Sequence, residues 1–137
     1  MKDGLPEQGI NSVIQDSRGF IWLATYSGLS KFDGYRFTTY RNNPTSTNSL
    51  RNNFVNSLVE DKKGRLWIGH SYGVDLFDPR TEKFYFHWPD SGDRQNVSAG
   101  RLRERRDGKI WICSSQGVFV ADPETHNITK VPQISSP

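Results

Sequence analysis

Apolar residues in this chain come in short runs of four to six, separated by clusters of Gly, Asp, Asn, Ser and Pro. None of the runs shows the helical period, so the pattern predicts short strands and turns throughout. Three runs are centred on tryptophan: Phe20-Ile-Trp-Leu-Ala-Thr25, Arg65-Leu-Trp-Ile-Gly-His70 and Lys109-Ile-Trp-Ile-Cys-Ser114. Trp22, Trp67 and Trp111 are spaced 45 and 44 residues apart, the signature of an internal repeat.

Aligning on these tryptophans brings other positions into columns. A glycine lies three residues before each Trp (Gly19, Gly64, Gly108), another six after it (Gly28, Gly73, Gly117), and an aspartate eleven after it (Asp33, Asp78, Asp122). Asp16-Ser-Arg-Gly19, Asp61-Lys-Lys-Gly64 and Arg105-Arg-Asp-Gly108 read as hairpin turns, with Gly supplying the positive φ that side chains resist. In the third copy the first Asp is replaced by Arg105, and Asp107 appears beside the Gly.

The Trp-centred strands have two apolar faces. One face carries Ile21 and Leu23, Leu66 and Ile68, or Ile110 and Ile112; the other pairs the Trp with a small residue, Ala24, Gly69 or Cys113. A strand apolar on both faces belongs to a sheet covered on both sides. A large residue beside a small one in every copy fits sheets stacked face to face, each Trp filling a gap in its neighbour, as in a β-propeller. On this reading Cys113 is a small buried residue beside Trp111 rather than a catalytic thiol.

Further strands fit around the central one: Ile10 to Gln15, Leu29 to Phe32 and Arg36 to Arg41 in the first unit, and Val55 to Glu60, Val74 to Phe77 and Lys83 to Trp88 in the second. The third has weaker outer strands, Ala99 to Glu104 and Asn127 to Val131. The expected architecture is all-β: three four-stranded antiparallel blades forming an open arc of a β-propeller. The units run about 10–53, 54–98 and 99–131 within one partial propeller of residues 1–137, with 132–137 as a tail. Asn42 to Asn53 and Pro89 to Val97 read as surface loops joining the units.

Composition adjusts this picture little. The 137 residues are 34% hydrophobic, 12% aromatic and 24% charged, as expected of a globular domain. The net charge of +3 comes from 18 basic and 15 acidic residues, and the densest basic run, Arg101, Arg103, Arg105 and Arg106, is broken by Glu104 and followed by Asp107. Without a recognition helix or a continuous basic stripe, no nucleic-acid partner is expected. No apolar segment is long enough to span a bilayer, so no membrane contact by this segment is expected either. A single cysteine rules out an internal disulfide.

The search for chemistry gives no catalytic residue. His70, His87 and His126 sit at unrelated positions without flanking Cys, Asp or Glu at ligand spacing, so neither a metal nor a cofactor is expected. The aspartates recur once per unit beside Gly or Pro, where capping a turn is their expected work; one active site needs one acid and one base. A carbohydrate-active propeller enzyme, glycosidase or lyase, is an alternative reading, prompted by a loose likeness to the Asp-box turn whose spacing this chain does not keep. A purely structural blade array is the other.

The pattern Asp-x-x-Gly-x-ω-Trp-ω-x-Thr-x-x-Gly-Leu (ω aliphatic) followed by an aromatic-Asp pair is nearly complete from Asp16 to Asp33. It recurs from Asp61 to Asp78 with His70 and Val74 substituted, and from Gly108 to Asp122 with Ser114 and Val118. It resembles the two-component regulator propeller repeat. That resemblance implies a fragment of the periplasmic sensor region of a hybrid two-component histidine kinase of Bacteroidetes, responding to oligosaccharides, with any kinase activity in a longer parent chain. Three units do not close a ring, so the exposed blade faces are expected to self-associate.

In a four-stranded meander the turns after the Trp strands share one end with the long inter-unit loops. The ligand-binding candidates on that side are Tyr26, Asn53, His70, Tyr72, Trp88 and Gln116.

Overall fold

The computed structural model describes residues 9–89 and 97–132, and every regular element in them is a β-strand. The first sheet holds β1 (Ile10–Gln15), β2 (Ile21–Thr25), β3 (Gly28–Phe32) and β4 (Phe37–Tyr40). The second holds β5 (Val55–Glu60), β6 (Leu66–His70), β7 (Gly73–Asp78) and β8 (Lys83–Trp88), and the third β9 (Ala99–Glu104), β10 (Ile110–Ser114), β11 (Gly117–Ala121) and β12 (Ile128–Lys130). Each is an antiparallel meander in chain order, the four-stranded blade expected from the repeat. Most of the second inter-unit loop and the tail beyond residue 132 lie outside the described residues.

The recurring Asp and Trp are joined by a clamp. Asp16 Oδ1 accepts the backbone N–H groups of Arg18 and Phe20, and its Oδ2 accepts the indole N–H of Trp22 at 2.8 Å. Asp61 does the same for Lys63, Arg65 and Trp67. One carboxylate thus closes the hairpin and satisfies the polar atom of a fully buried indole, which would otherwise cost about 1–3 kcal/mol. The third blade keeps the Gly108 turn but has Arg105 in the Asp position, and there the guanidinium lies over the Trp111 ring, 4.8 Å from its centroid. In the glycine column after the Trp, Gly73 has φ +140°, and a Cβ there would run into the carbonyl oxygen of Trp88.

The large and small residues interdigitate between blades. Trp22, Ala24 and Leu29 of the first blade pack against Leu58, Leu66, Ile68 and Phe77 of the second. One joint further on, Trp67, Val74 and Leu76 pack against Leu102, Ile110 and Ile112 of the third. Trp22 and Trp67 are both completely removed from solvent, worth about 4–6 kcal/mol for an aromatic of that size. Gly69 has to be small: a Cβ on it would stand 2.8 Å from the carbonyl oxygen of Ala99.

Polar ties repeat across the joints as well. The Asn11 amide donates to the Val55 carbonyl at 2.8 Å, and Asn56 to Ala99 at 3.4 Å. Ser17 donates its N–H and hydroxyl to the Glu60 carboxylate. The nearly buried Arg65 guanidinium, paired with Asp61, reaches the third blade to donate to the Pro123 carbonyl and to His126 Nε2.

One expectation is corrected. Cys113, placed by its column in a buried site, is exposed, and Trp111 is only half-buried. The cause is position: Ala24 and Gly69 face a following blade, whereas among the described residues no blade covers that face of the third.

Candidate functional site: the loop face and the inner groove

The turns after β2, β6 and β10 lie beside the segments entering each blade, as the meander requires. Tyr26, Ser71 and Ser115 donate backbone N–H groups to the carbonyls of Gly9, Phe54 and Ser98. On this side Tyr26, 43% exposed, stacks on Phe54, 41% exposed, with centroids 4.7 Å apart and planes at 28°. Phe54 was not singled out from sequence; its position directly before the first strand of a unit, where Gly9 and Ser98 stand in the other copies, was the available signal. Tyr72 is exposed on the neighbouring turn.

The loop from Arg41 to Phe54 is anchored at several points. Asn53 Oδ1 accepts the Asn42 N–H at 2.6 Å, and the Asn42 amide donates to the carbonyls of Leu50 and Arg51. Leu50 is fully buried in the first joint, and Asn48 bonds both Glu82 and Phe84 of the second blade. Asn53 therefore serves the loop through its side-chain oxygen.

His70, expected at the rim, is 1% exposed. Its Nδ1 accepts the Tyr72 N–H, which places the ring proton on Nε2, donated to Asp75 Oδ1 at 2.8 Å. His87 Nδ1 reaches the same oxygen at 2.6 Å, and Arg51 donates its N–H to Asp75 Oδ2 at 2.8 Å. Burial works to raise the pKa of Asp75, but the two histidine hydrogen bonds outweigh it and hold the carboxyl below its ordinary value. The network fixes the loop to the strands beneath it and leaves His70 no contact with solvent.

Trp88 is half-buried and meets Phe119 of the third blade edge to face at 4.7 Å, so it works as an inter-blade contact rather than a free platform. Gln116 is exposed at the tip of its turn. The structure thus brings Tyr26 and Phe54 together, leaves Tyr72 and Gln116 available, and commits Asn53, His70 and Trp88 to internal contacts.

A second concave surface runs along the inner strands β1, β5 and β9. It is a polar groove of about 330 Å³ lined by Asn11, Ser12, Asn56, Ser57, Arg101 and Arg103. None of the loop candidates lines it. Its signal in the sequence was the repetition of Asn-Ser in two otherwise apolar first strands.

The recurring carboxylates are occupied by turn donors: Asp33 Oδ1, for instance, accepts the N–H groups of Arg36 and Tyr35, which hold its carboxyl below the usual range. Among the described residues no group of three or more His, Cys, Asp or Glu is placed to hold a metal ion, and no helix is long and apolar enough to cross a membrane.

Residues 4–27 and 49–72 match the family described as two component regulator propeller. These two segments carry the regulator propeller repeat. Each matched segment spans the first two strands of a blade and its Asp–Trp clamp. Over 48 residues, 35% of the chain, it is 44% identical to Histidine kinase P4 of Formosa agariphila, covering 4% of that protein. Among solved structures it superposes on the extracellular domain of BT3049 from B. thetaiotaomicron, described as a hybrid two component system. There the TM-score is 0.83 and the identity 27%, over 95% of this chain and 19% of the other. The extracellular domain of BT4673 from the same organism gives a TM-score of 0.75 at 25% identity, over 98% of this chain and 18% of the other. A lyase, virginiamycin B lyase from Staphylococcus aureus, shares the fold alone, at 12% identity and a TM-score of 0.66. The chain spans less than a fifth of the length of the BT3049 and BT4673 extracellular domains.

Proposed function

We propose that this chain is a segment of the periplasmic sensor region of a hybrid two-component histidine kinase, and that the loop face carrying Tyr26, Phe54 and Tyr72 takes part in recognising an oligosaccharide. The observation that carries the reading is the match, over 95% of the chain, to the extracellular domain of a hybrid two component system. The segment works by binding, and phosphoryl transfer belongs to the kinase of a longer protein. In support of the ligand class, the Tyr26–Phe54 pair offers exposed aromatic surface on an anchored loop, the kind of platform on which the apolar face of a sugar ring stacks.

Calorimetry of the complete sensor region against a panel of oligosaccharides tests this. Binding of one oligosaccharide class, weakened about tenfold or more by Tyr26→Ala, is the expected result. Silence across the panel rejects the ligand class, and unchanged affinity in the variant moves the site off this loop face.

A further inference from the structure

The outward face of the third blade differs from the two equivalent faces inside the arc in a way that specifies what covers it. Strand register sets the comparison. On the first blade Trp22 is flanked across the strand pair by Ile14, and Ala24 by Ser12. On the second, Trp67 is flanked by Val59 and Gly69 by Ser57. On the third, Trp111 is flanked by Arg103 and Cys113 by Arg101. Directly opposed residues share a face, so two guanidinium groups stand where the internal joints have a serine hydroxyl and an aliphatic side chain.

The rest of that face keeps the character of a joint. Trp111 is half-buried, and Cys113 and Val118 are exposed beside it. Both arginines are exposed at the edge of the polar groove, and among the described residues neither side chain has a hydrogen bond or ion pair. Arg105, which takes the turn Asp position, is held by Asp107 at 2.9 Å, so that nearby carboxylate is already engaged.

The internal joints show what would meet Arg101. In the joint between the second and third blades, the Ser57 hydroxyl accepts the N–H of Leu102 at 3.0 Å. Leu102 occupies the column of Val13 and Leu58. A blade docked on the third would therefore bring its residue of that column over Arg101. An aliphatic side chain there leaves the cation without a partner, whereas a carboxylate pairs it.

We infer that the open face of the third blade is a docking surface for a further propeller blade that carries a carboxylate in the Val13/Leu58/Leu102 column. This goes beyond the loop-face reading and does not depend on it. Charge complementarity selects the occupant: the chain's own first blade presents Val13 at that place, 56% exposed, and so fits the apolar centre but not the arginines.

The test uses the whole chain as its own probe, since its first blade has the shape of an incoming blade. Self-association of wild type, V13E, V13E/R101S and the charge-reversed V13K/R101E is measured by sedimentation at matched concentrations, with circular dichroism as the check on folding. The expected result is that V13E tightens association about tenfold or more over wild type, that V13E/R101S loses the gain, and that V13K/R101E recovers it. Should V13E fail to fold, the comparison of V13K/R101E with wild type decides alone. Association of folded V13E no tighter than that of wild type overturns the inference. So does retention of the gain in V13E/R101S, and so does a V13K/R101E variant that associates no better than wild type, because a copy of the chain would then dock without regard to Arg101.

Discussion

Asp16 and Trp22 are tied by a 2.8 Å hydrogen bond from the buried indole N–H to the same carboxylate that closes the preceding turn. The bond explains why aspartate, glycine and tryptophan recur together at fixed offsets: one side chain joins a surface hairpin to the joint between blades.

Removing that carboxylate is expected to unsettle both. Asp16→Ala leaves the Trp22 N–H buried without an acceptor and should cost about 3 kcal/mol. Asp61→Ala also strips the partner from the nearly buried Arg65 and should cost about 3–5 kcal/mol. Urea unfolding of the two variants measures the difference, and equal losses would show that Arg65 finds no use for Asp61.

The small member of the Trp pair is as constrained as the large one. Gly69→Ala places a methyl group 2.8 Å from the Ala99 backbone oxygen and 3.3 Å from Leu102, so the second joint has to open. A loss of about 1–3 kcal/mol is expected, with Trp67 fluorescence shifting as water reaches the indole. Unchanged stability and emission would mean that the third blade moves without cost.

Acid is expected to act in two separate windows. His126 receives a hydrogen bond from Arg65, and burial together with the charges of Arg65 and Lys63 lowers its pKa below the ordinary 6.5. The unfolded chain therefore binds the proton more readily, and this contribution to stability is complete above about pH 6.5 and declines as the pH falls toward the folded value. Asp75 is also lowered, from 3.8, so its contribution is complete above about pH 4 and is lost only as the pH drops through its folded value. Thermal melts from pH 8 to 3 should show a step below pH 6.5 that His126→Gln removes. The deficit of Asp75→Asn should persist to about pH 4 and narrow below it.

The repeat was legible because its cause is local. Turn glycines, the Trp–small alternation and two-sided apolar strands each follow from backbone geometry, and eleven of the twelve described strands fell where those signals placed them, with shifts only at the ends; β11 had not been placed. The site was less legible because exposure depends on neighbours. His70 occupies the place of Thr25 in the first blade, and nothing in its own strand shows that Asp75 and His87 come from two further strands to enclose it. Cys113 shares a column with buried residues and is nevertheless exposed, because burial there belongs to the next blade.

The two joints also set the order in which the molecule yields. In the second blade every residue of β6 and β7 is buried, since among the described residues it has a neighbouring blade on each side, while the first and third have one apiece. For this segment by itself, opening of such a quasi-linear array starts at the uncovered faces, so backbone amides of the outer blades exchange with solvent first and those of Leu66–His70 last. The middle blade is then the slow, rigid element of the segment, and its aspartate–histidine cluster ties the Arg41–Phe54 loop to the part of the chain that moves least.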